Sequence, residues 1–342
     1  MNVLHLLLPF LVGAGLTAAL TPLIIKLARQ HRVYDEPDSR KNHAVATPRL
    51  GGIAMGLAVL FAGSAAMLVG GYFFQGRFIR ALLVGCGPVL AISLYDDIRP
   101  RPWWLRFIIQ LVGATLFVLL HGPIQRLNVP MLGTLEPGIW GYPLSIGWLL
   151  LTINAMNFID GIDGLAAGIG AIAGTVLMIS VLPTGNVPAA ALAAGIVGVC
   201  IGFLPWNSPP ARIFMGDTGA TLIGFTLGAV ALVGAGKNVA LVSLLVPMLA
   251  LAVPIVDAIR VVLRRSWRGV RIFEADREHI HHFLLSLGLG TRRTLLLLYL
   301  VTALSGGVAL FLAAAPRFVF LFIGLLALGC FALMFRRGPD RH

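Results

Sequence analysis

The sequence is short of charge. Only 12% of its 342 residues are Asp, Glu, Lys or Arg, and only 14 are acidic. With 58% hydrophobic residues and a mean hydropathy of +0.90, it lacks the polar surface that a water-soluble domain of this size needs. Cysteine is nearly absent. Cys86, Cys200 and Cys330 all fall inside apolar runs, which excludes a disulfide framework and leaves packing as their role. The first apolar stretch, from about Val3 to Leu27, has no basic leader and is too long for a signal peptide, and Lys26 and Arg29 mark its end, so it reads as a retained span. The net charge of +12 admits a nucleic-acid partner, but basic loops beside a bilayer explain it without one.

What the chain has instead is a series of apolar stretches, each of a length to cross a bilayer in about 20 residues. The expected architecture is an all-α polytopic membrane protein of about eleven transmembrane helices, forming one integral membrane domain over 1–342. The spans fall at roughly 3–27, 51–71, 78–95, 103–120, 143–157, 165–182, 188–204, 219–236, 239–262, 294–315 and 317–335. With the N-terminus outside and the C-terminus in the cytoplasm, only Arg77, Arg80, Arg126, Lys237 and Arg317 of the 26 basic residues lie outside. That is a strong positive-inside bias. The acids do not enter that choice, yet Glu136 alone is outside and the other 13 gather at the inner face. A working surface on that side is expected. The outer segment His121 to Tyr142 reads as a small hairpin. The Gly-x-x-x-Gly pairs at Gly52/Gly56, Gly164/Gly168, Gly198/Gly202 and Gly224/Gly228 signal close helix packing, with a homodimer face as the alternative.

Five inner loops, at about 29–50, 95–102, 154–164, 205–218 and 263–293, carry the unusual residues. The first holds Arg40, Lys41, His43 and Arg49 and enters a span through Gly51-Gly52. Basic groups at a helix entrance grip phosphates, and a Gly pair lets a ligand approach the backbone; a solvated basic loop is the plainer alternative. The second is Asp96-Asp97, followed by Arg99, Arg101 and Arg106. Two acids oppose the helix dipole at a C-terminus, so capping does not explain them, whereas binding Mg²⁺ or taking a proton does. The third runs from Asn154 to Gly164. If it is helical, Asn154, Asn157, Asp160 and Asp163 share one face and offer amides and carboxylates to a hydrated cation. In the fourth, Asp217 lies between Gly216 and Gly219, either as a simple N-cap or beside a metal-bound diphosphate. The fifth contains His279-Ile-His-His282. Without Cys partners, and with hard oxygen donors elsewhere, these imidazoles suit a pyrophosphate better than zinc. Arg264, Arg265, Arg268 and Arg271 suit anionic headgroups.

In this order, the motifs Arg40-Lys41-x-His43…Pro48-x-x-Gly51-Gly52, Asp96-Asp97, Asn154-x-x-Asn157-x-x-Asp160-Gly-x-Asp163-Gly-Leu, Phe214-Met-Gly-Asp217-x-Gly and His279-Ile-His-His282 resemble the polyprenyl-phosphate N-acetylhexosamine-1-phosphate transferases. The His-Ile-His-His run looks like the branch that uses UDP-GlcNAc and related UDP-N-acetylhexosamines. The phospho-MurNAc-pentapeptide translocase branch usually has a longer His run. The chain departs from the family pattern at Trp104, where a basic residue is common, and at Ala220, where Ser is common. The resemblance implies transfer of a sugar 1-phosphate from a UDP-N-acetylhexosamine to undecaprenyl phosphate, with release of UMP, on the cytoplasmic face of a bacterial inner membrane. It implies Mg²⁺, with Mn²⁺ as an alternative, held by Asp217 and Asn157. It implies that Asp163 recognises uracil, that Asp160 organises its loop, and that Asp96, supported by Asp97, orients or deprotonates the lipid phosphate. Arg106, His281 and His282 are then the diphosphate candidates, and Lys41, His43, Asn154, Phe214 and His279 complete the substrate-binding set. A secondary transporter is the alternative of another class. Transporters place ionisable groups near the bilayer midplane, whereas here they sit at helix ends, and the sequence shows no clear internal repeat.

Overall fold

The computed structural model describes residues 3–35, 46–70, 76–129, 133–235, 245–268 and 280–312. Within them the chain folds as helices α1 (Leu4–Gln30), α2 (Gly51–Gly70), α3 (Arg77–Ile98), α4 (Trp103–His121), α5 (Gly141–Ile159), α6 (Leu165–Val181), α7 (Val187–Asn207), α8 (Gly216–Ala235), α9 (Leu245–Ala250), α10 (Ala252–Arg268), α11 (Ile280–Ser286) and α12 (Thr291–Leu312). Eight of the described helices are long and apolar enough to cross a membrane, and α2 adds a shorter apolar helix over Gly51–Ala65. In a bilayer the backbone must satisfy its own hydrogen bonds, and helices do so within one segment. The protein is a multi-pass membrane protein.

Burial sorts the helices. α6, α7 and α8 form the centre, with nearly every side chain of α8 buried, while α1 and α4 lie at the periphery. On α12 the exposed residues Leu297, Leu300, Leu304, Val308 and Phe311 follow helical spacing and make an outward apolar stripe. Two of the four Gly-x-x-x-Gly pairs pack helix against helix within the chain, while a Cβ at Gly56 of a third would meet nothing. Gly198 and Gly202 bring α7 against the backbone of α1 at Phe10 and Ala14, and Gly224 and Gly228 bring α8 against Thr152 of α5. Cys86 and Cys200 are free and buried; Cys330 lies outside the described residues.

Local chemistry sets the helix ends. Asn186 caps α7, its Oδ1 accepting the Ala189 N–H at 3.2 Å, and Pro188 occupies an early position that needs no donor. The segment between α4 and α5 forms an antiparallel hairpin of β3 (Leu127–Val129) and β4 (Gly133–Leu135), as expected. Two further residues pairs, β1 (Tyr34–Asp35) and β2 (Thr47–Pro48), close the loop between α1 and α2.

The first eight expected spans each coincide with one helix. Residues 239–244 of the ninth lie outside the described residues, and its described part, 245–262, does not form one rod. It divides at Leu251 into α9 and α10, because Pro254 has no N–H for the helix that would continue through it. The tenth begins within α12, and the eleventh, 317–335, lies outside the described residues. The helix hypothesised to carry Asn154, Asn157, Asp160 and Asp163 together also ends early. α5 stops at Ile159, and the chain turns through Asp160 to Gly164, whose φ of +82° suits glycine, before α6 starts. Asp160 and Asp163 therefore sit on a turn and not on a helix face.

Candidate active site

Because α3 and α5 end, and α2, α6 and α8 begin, at the same end of the bundle, their polar termini meet there. The tightest junction joins α3 to α8. Asp97 accepts hydrogen bonds from the backbone N–H of Asp217 (2.8 Å) and of Thr218 (3.0 Å) and from the Thr218 hydroxyl (2.7 Å). These are the orphan donors of the first turn of α8, so Asp97 caps that helix from another segment. Gly216 permits the approach. Its φ is +68°, and a Cβ there would lie 2.5 Å from Asp97 Oδ2. The second acid of the pair thus also caps α8, which the opposed helix dipole of α3 alone did not foretell.

Two arginines bridge the acids. Arg49 reaches Asp97 Oδ1 at 3.2 Å and Asp217 Oδ1 at 3.0 Å, and Arg106 reaches Asp96 Oδ2 at 3.0 Å and also bonds Asp217 Oδ2. Asp96 further accepts the Arg101 N–H at 2.6 Å. The side chains of Asn157 and Asp96 lie beside Asp217. Arg49 lies where β2 leads into α2, and that segment is fastened to the α8 entrance by Phe214 N–H to Pro48 O (2.8 Å), Gly51 N–H to Phe214 O (3.0 Å) and Gly52 N–H to Met215 O (2.8 Å). Phe214 is half-buried at this seam.

Asp160, at the end of α5, is also drawn into the group. Burial, reinforced by the charge of Asp217 and opposed by Arg49, pushes its carboxyl up to about 8, so at neutral pH it holds a proton. Arg106, which reaches both Asp96 Oδ2 and Asp217 Oδ2, supplies the positive charge between these two acids. Their oxygens and the Asn157 amide oxygen are hard donors that suit Mg²⁺, which takes one or two carboxylates and fills its shell with water and substrate phosphate. No group of three or more His, Cys, Asp or Glu among the described residues is arranged to enclose a metal by itself.

The remaining predicted residues take several positions. Asn154 donates to Gln110 Oε1 (2.9 Å) and to Leu150 O (2.8 Å), so it fastens α5 to α4. Asp163 accepts the Ala211 N–H at 2.8 Å and joins the 160–164 turn to the loop before α8. His281, buried in α11, lies over Gly161, where a Cβ would be 2.1 Å from its Nε2. Lys41, His43 and His279 lie outside the described residues, and of His282 only the backbone, in α11, is described.

The structure adds residues that the sequence did not single out. Gln110 is buried one helical turn from Arg106, a spacing that would have revealed it. Asn207 accepts the Gly164 N–H (3.0 Å) and donates to Ile213 O (3.0 Å), bracing both loops. Tyr299 of α12 donates its hydroxyl to Gly164 O at 2.6 Å. No local sequence signal marked Tyr299, whose partner is 135 residues away.

Comparison with known proteins places this end of the bundle in context. The model of glycosyl transferase family 4 matches residues 79–235, from α3 through α8. A Bacillus subtilis (strain 168) protein, "Probable undecaprenyl-phosphate N-acetylglucosaminyl 1-phosphate transferase", is 32% identical over 323 residues, covering 94% of this chain and 89% of its own. A Mycolicibacterium smegmatis "Decaprenyl-phosphate N-acetylglucosaminephosphotransferase" is 33% identical over 364 residues, covering 95% and 89%. A Yersinia pestis "Undecaprenyl-phosphate alpha-N-acetylglucosaminyl 1-phosphate transferase" is 28% identical over 311 residues, covering 88% and 84%.

Proposed function

Since the chain belongs to the family of polyprenyl-phosphate N-acetylglucosamine-1-phosphate transferases, we propose that it transfers N-acetylglucosamine 1-phosphate from UDP-N-acetylglucosamine to undecaprenyl phosphate. A lipid-phosphate oxygen attacks the β-phosphorus, the bond from that phosphorus to the bridging oxygen breaks, and UMP leaves with that oxygen. The products are undecaprenyl-diphospho-N-acetylglucosamine, the first intermediate of an envelope glycan, and UMP.

The observation that carries this reading is the convergence of Asp96, Asp97 and Asp217 with Arg49 and Arg106 at one helix junction. Transfer between two phosphate esters brings several negative charges together, so positioning and neutralisation supply most of the catalysis. Asp217 and Asn157, with Asp96 beside them, would hold Mg²⁺, which when bound would neutralise charge on the donor diphosphate. Arg106 and Arg49 then face phosphate oxygens in place of carboxylates. Asp96 orients the lipid phosphate, Asp97 keeps α8 in register, and Asp163 with its turn receives the uracil. Lys41, His43, Phe214, His279, His281 and His282 complete the substrate contacts.

The site loops face the cytoplasm of a bacterial inner membrane, since the nucleotide sugar is soluble and cytoplasmic while the lipid phosphate sits at the bilayer surface. Eleven spans with the N-terminus outside satisfy the positive-inside bias. A single Cys in place of Ser208 should be shielded from an impermeant thiol reagent in intact cells, and one in place of Asn186, at the far end of the bundle, should be labelled. The decisive assay incubates purified protein with undecaprenyl phosphate and a panel of UDP-sugars. UMP release with UDP-N-acetylglucosamine is the expected result, and no release with any UDP-N-acetylhexosamine would overturn the proposal.

A further inference from the structure

Asp257 is an acid that neither the sequence motifs nor the reaction above uses. It is 1% exposed and lies on α10, among the buried apolar residues Val253, Ile255, Ala258 and Val261. A carboxylate in such surroundings is costly unless its partners repay the lost hydration. Arg260, one turn on, approaches Asp257 Oδ1 at 3.7 Å. The same oxygen accepts the backbone N–H of Ile280 at 2.7 Å, across 23 residues of sequence.

Ile280 opens α11. Its N–H is one of the donors that a helix cannot satisfy internally, and Asp257 satisfies it from a helix that is itself anchored. α10 packs along α5 and α12, so the capping oxygen is fixed to the same frame that ends in Asp160. The next residue is His281, whose ring occupies the space that a side chain at Gly161 would need. A chain of contacts therefore runs from α10 through the first turn of α11 to the turn bearing Asp160 and Asp163.

The geometry points to Asp257 as a positioning residue for the nucleotide-sugar end of the site: by capping α11 it sets His281 against Gly161. This rests on the transferase reading for what the site binds, though not for the capping contact. The capping contact itself asks for an acceptor oxygen at this place, while the negative charge serves Arg260. An Asn there keeps the acceptor, and an Ala loses it.

Asp257→Ala and Asp257→Asn should be compared in the full-length protein by UMP release and by hydrogen exchange of the segment 280–286. Loss of a cap is expected to cost Asp257→Ala about tenfold in kcat/KM for UDP-N-acetylglucosamine, through KM, with the KM for undecaprenyl phosphate unchanged. Exchange at 280–286 should quicken. Asp257→Asn should stay within about threefold of wild type and keep slow exchange, because Asn caps as well as Asp. The proposal is overturned if Asn is as defective as Ala, if both KM values rise together, or if exchange in Asp257→Ala is unchanged. Should Asp257→Ala not fold, Asp257→Asn still decides: retained activity and slow exchange support the role, and about a tenfold loss overturns it. If the wild type releases no UMP, the transferase reading fails, and exchange in the two variants alone decides the positioning.

Discussion

The two ends of the helix bundle are made by the same helices and handle charge in opposite ways. At the end where α3 meets α8, Arg49 bridges Asp97 and Asp217, with the Asp97 side chain wholly buried and that of Arg49 31% exposed. At the other end, the segment between α4 and α5 holds Arg126 and Glu136 at 3.3 Å, with side chains 57% and 69% exposed. The distances are alike and the consequences are not. Water screens the second pair, whereas the first is joined to helix-capping donors, a second arginine and neighbouring acids. Proximity of opposite charges thus says little by itself; what distinguishes a site is that its groups are shielded, shared and attached to several elements.

The largest effect should follow from breaking the shared centre. Asp217→Asn keeps the shape of the side chain and its place in α8 but removes the charge that Arg49, Arg106 and the metal require. Transfer should fall by at least about 100-fold, equivalent to a few kcal/mol of barrier. Elution of the detergent-solubilised protein should be unchanged. Near-normal turnover at limiting Mg²⁺ would refute the assignment of Asp217 to the metal.

Gly216→Ala attacks the same end through the backbone. The φ of +68° costs a non-glycine residue about 1–2 kcal/mol, and the added Cβ meets the Asp97 carboxylate. Displacing that carboxylate uncaps α8. A lower midpoint of thermal unfolding and a several-fold loss of transfer are expected together. Full activity with an unchanged midpoint would mean that the Asp97 cap is dispensable.

The sequence made one side of this comparison legible in outline. Acids are so rare in an apolar chain that Asp96-Asp97, Asp160, Asp163 and Asp217 stood out, and the apolar runs located the helices that bring them together. Their division of labour was not legible. Asp96 and Asp97 are adjacent and both join the bridged centre, yet only Asp97 also caps α8, a distinction made by a contact 120 residues away. The three-residue spacing of Asn154, Asn157, Asp160 and Asp163 pointed to one helix face. Gly164 lets the chain turn there, so Asp163 joins two loops while Asn154, still on α5, serves helix packing. Asp257 was hidden because a single acid within an expected span shows nothing of a partner on a distant helix.

Asp160 sharpens the contrast through pH. Its carboxyl, raised by burial to about 8 from a usual 3.8, keeps its proton in the folded protein across a range where the unfolded chain has lost it. The folded state therefore binds more protons between those values, and stability falls as pH rises through that window. In the presence of chelator, the thermal midpoint should decline from pH 5 to pH 8, with Asp160 contributing no more than about 1.4 kcal/mol of stability per pH unit. Asp160→Asn, which cannot ionise, should flatten the profile. An equal slope in both proteins would show that Asp160 is already ionised at neutral pH.

The smallest effect belongs to the far end. Glu136→Ala removes the partner of Arg126 from a pair that water reaches on both sides. Exposed ion pairs of this kind contribute about 0–1 kcal/mol, because the attraction is screened and two long side chains must be held in place. No contact described for this pair reaches α3, α8 or the 160–164 turn, so neither the helix caps nor the charge around Asp217 should change. The kcat, both KM values and the thermal midpoint should stay at wild-type levels, and raising the salt concentration should affect wild type and variant alike. Loss of activity in Glu136→Ala would mean that the two ends are coupled through α4 and α5, the helices that the hairpin joins. The shielded cluster would then no longer be an independent unit, and a charge at the opposite end of the bundle would have to be counted as part of the site.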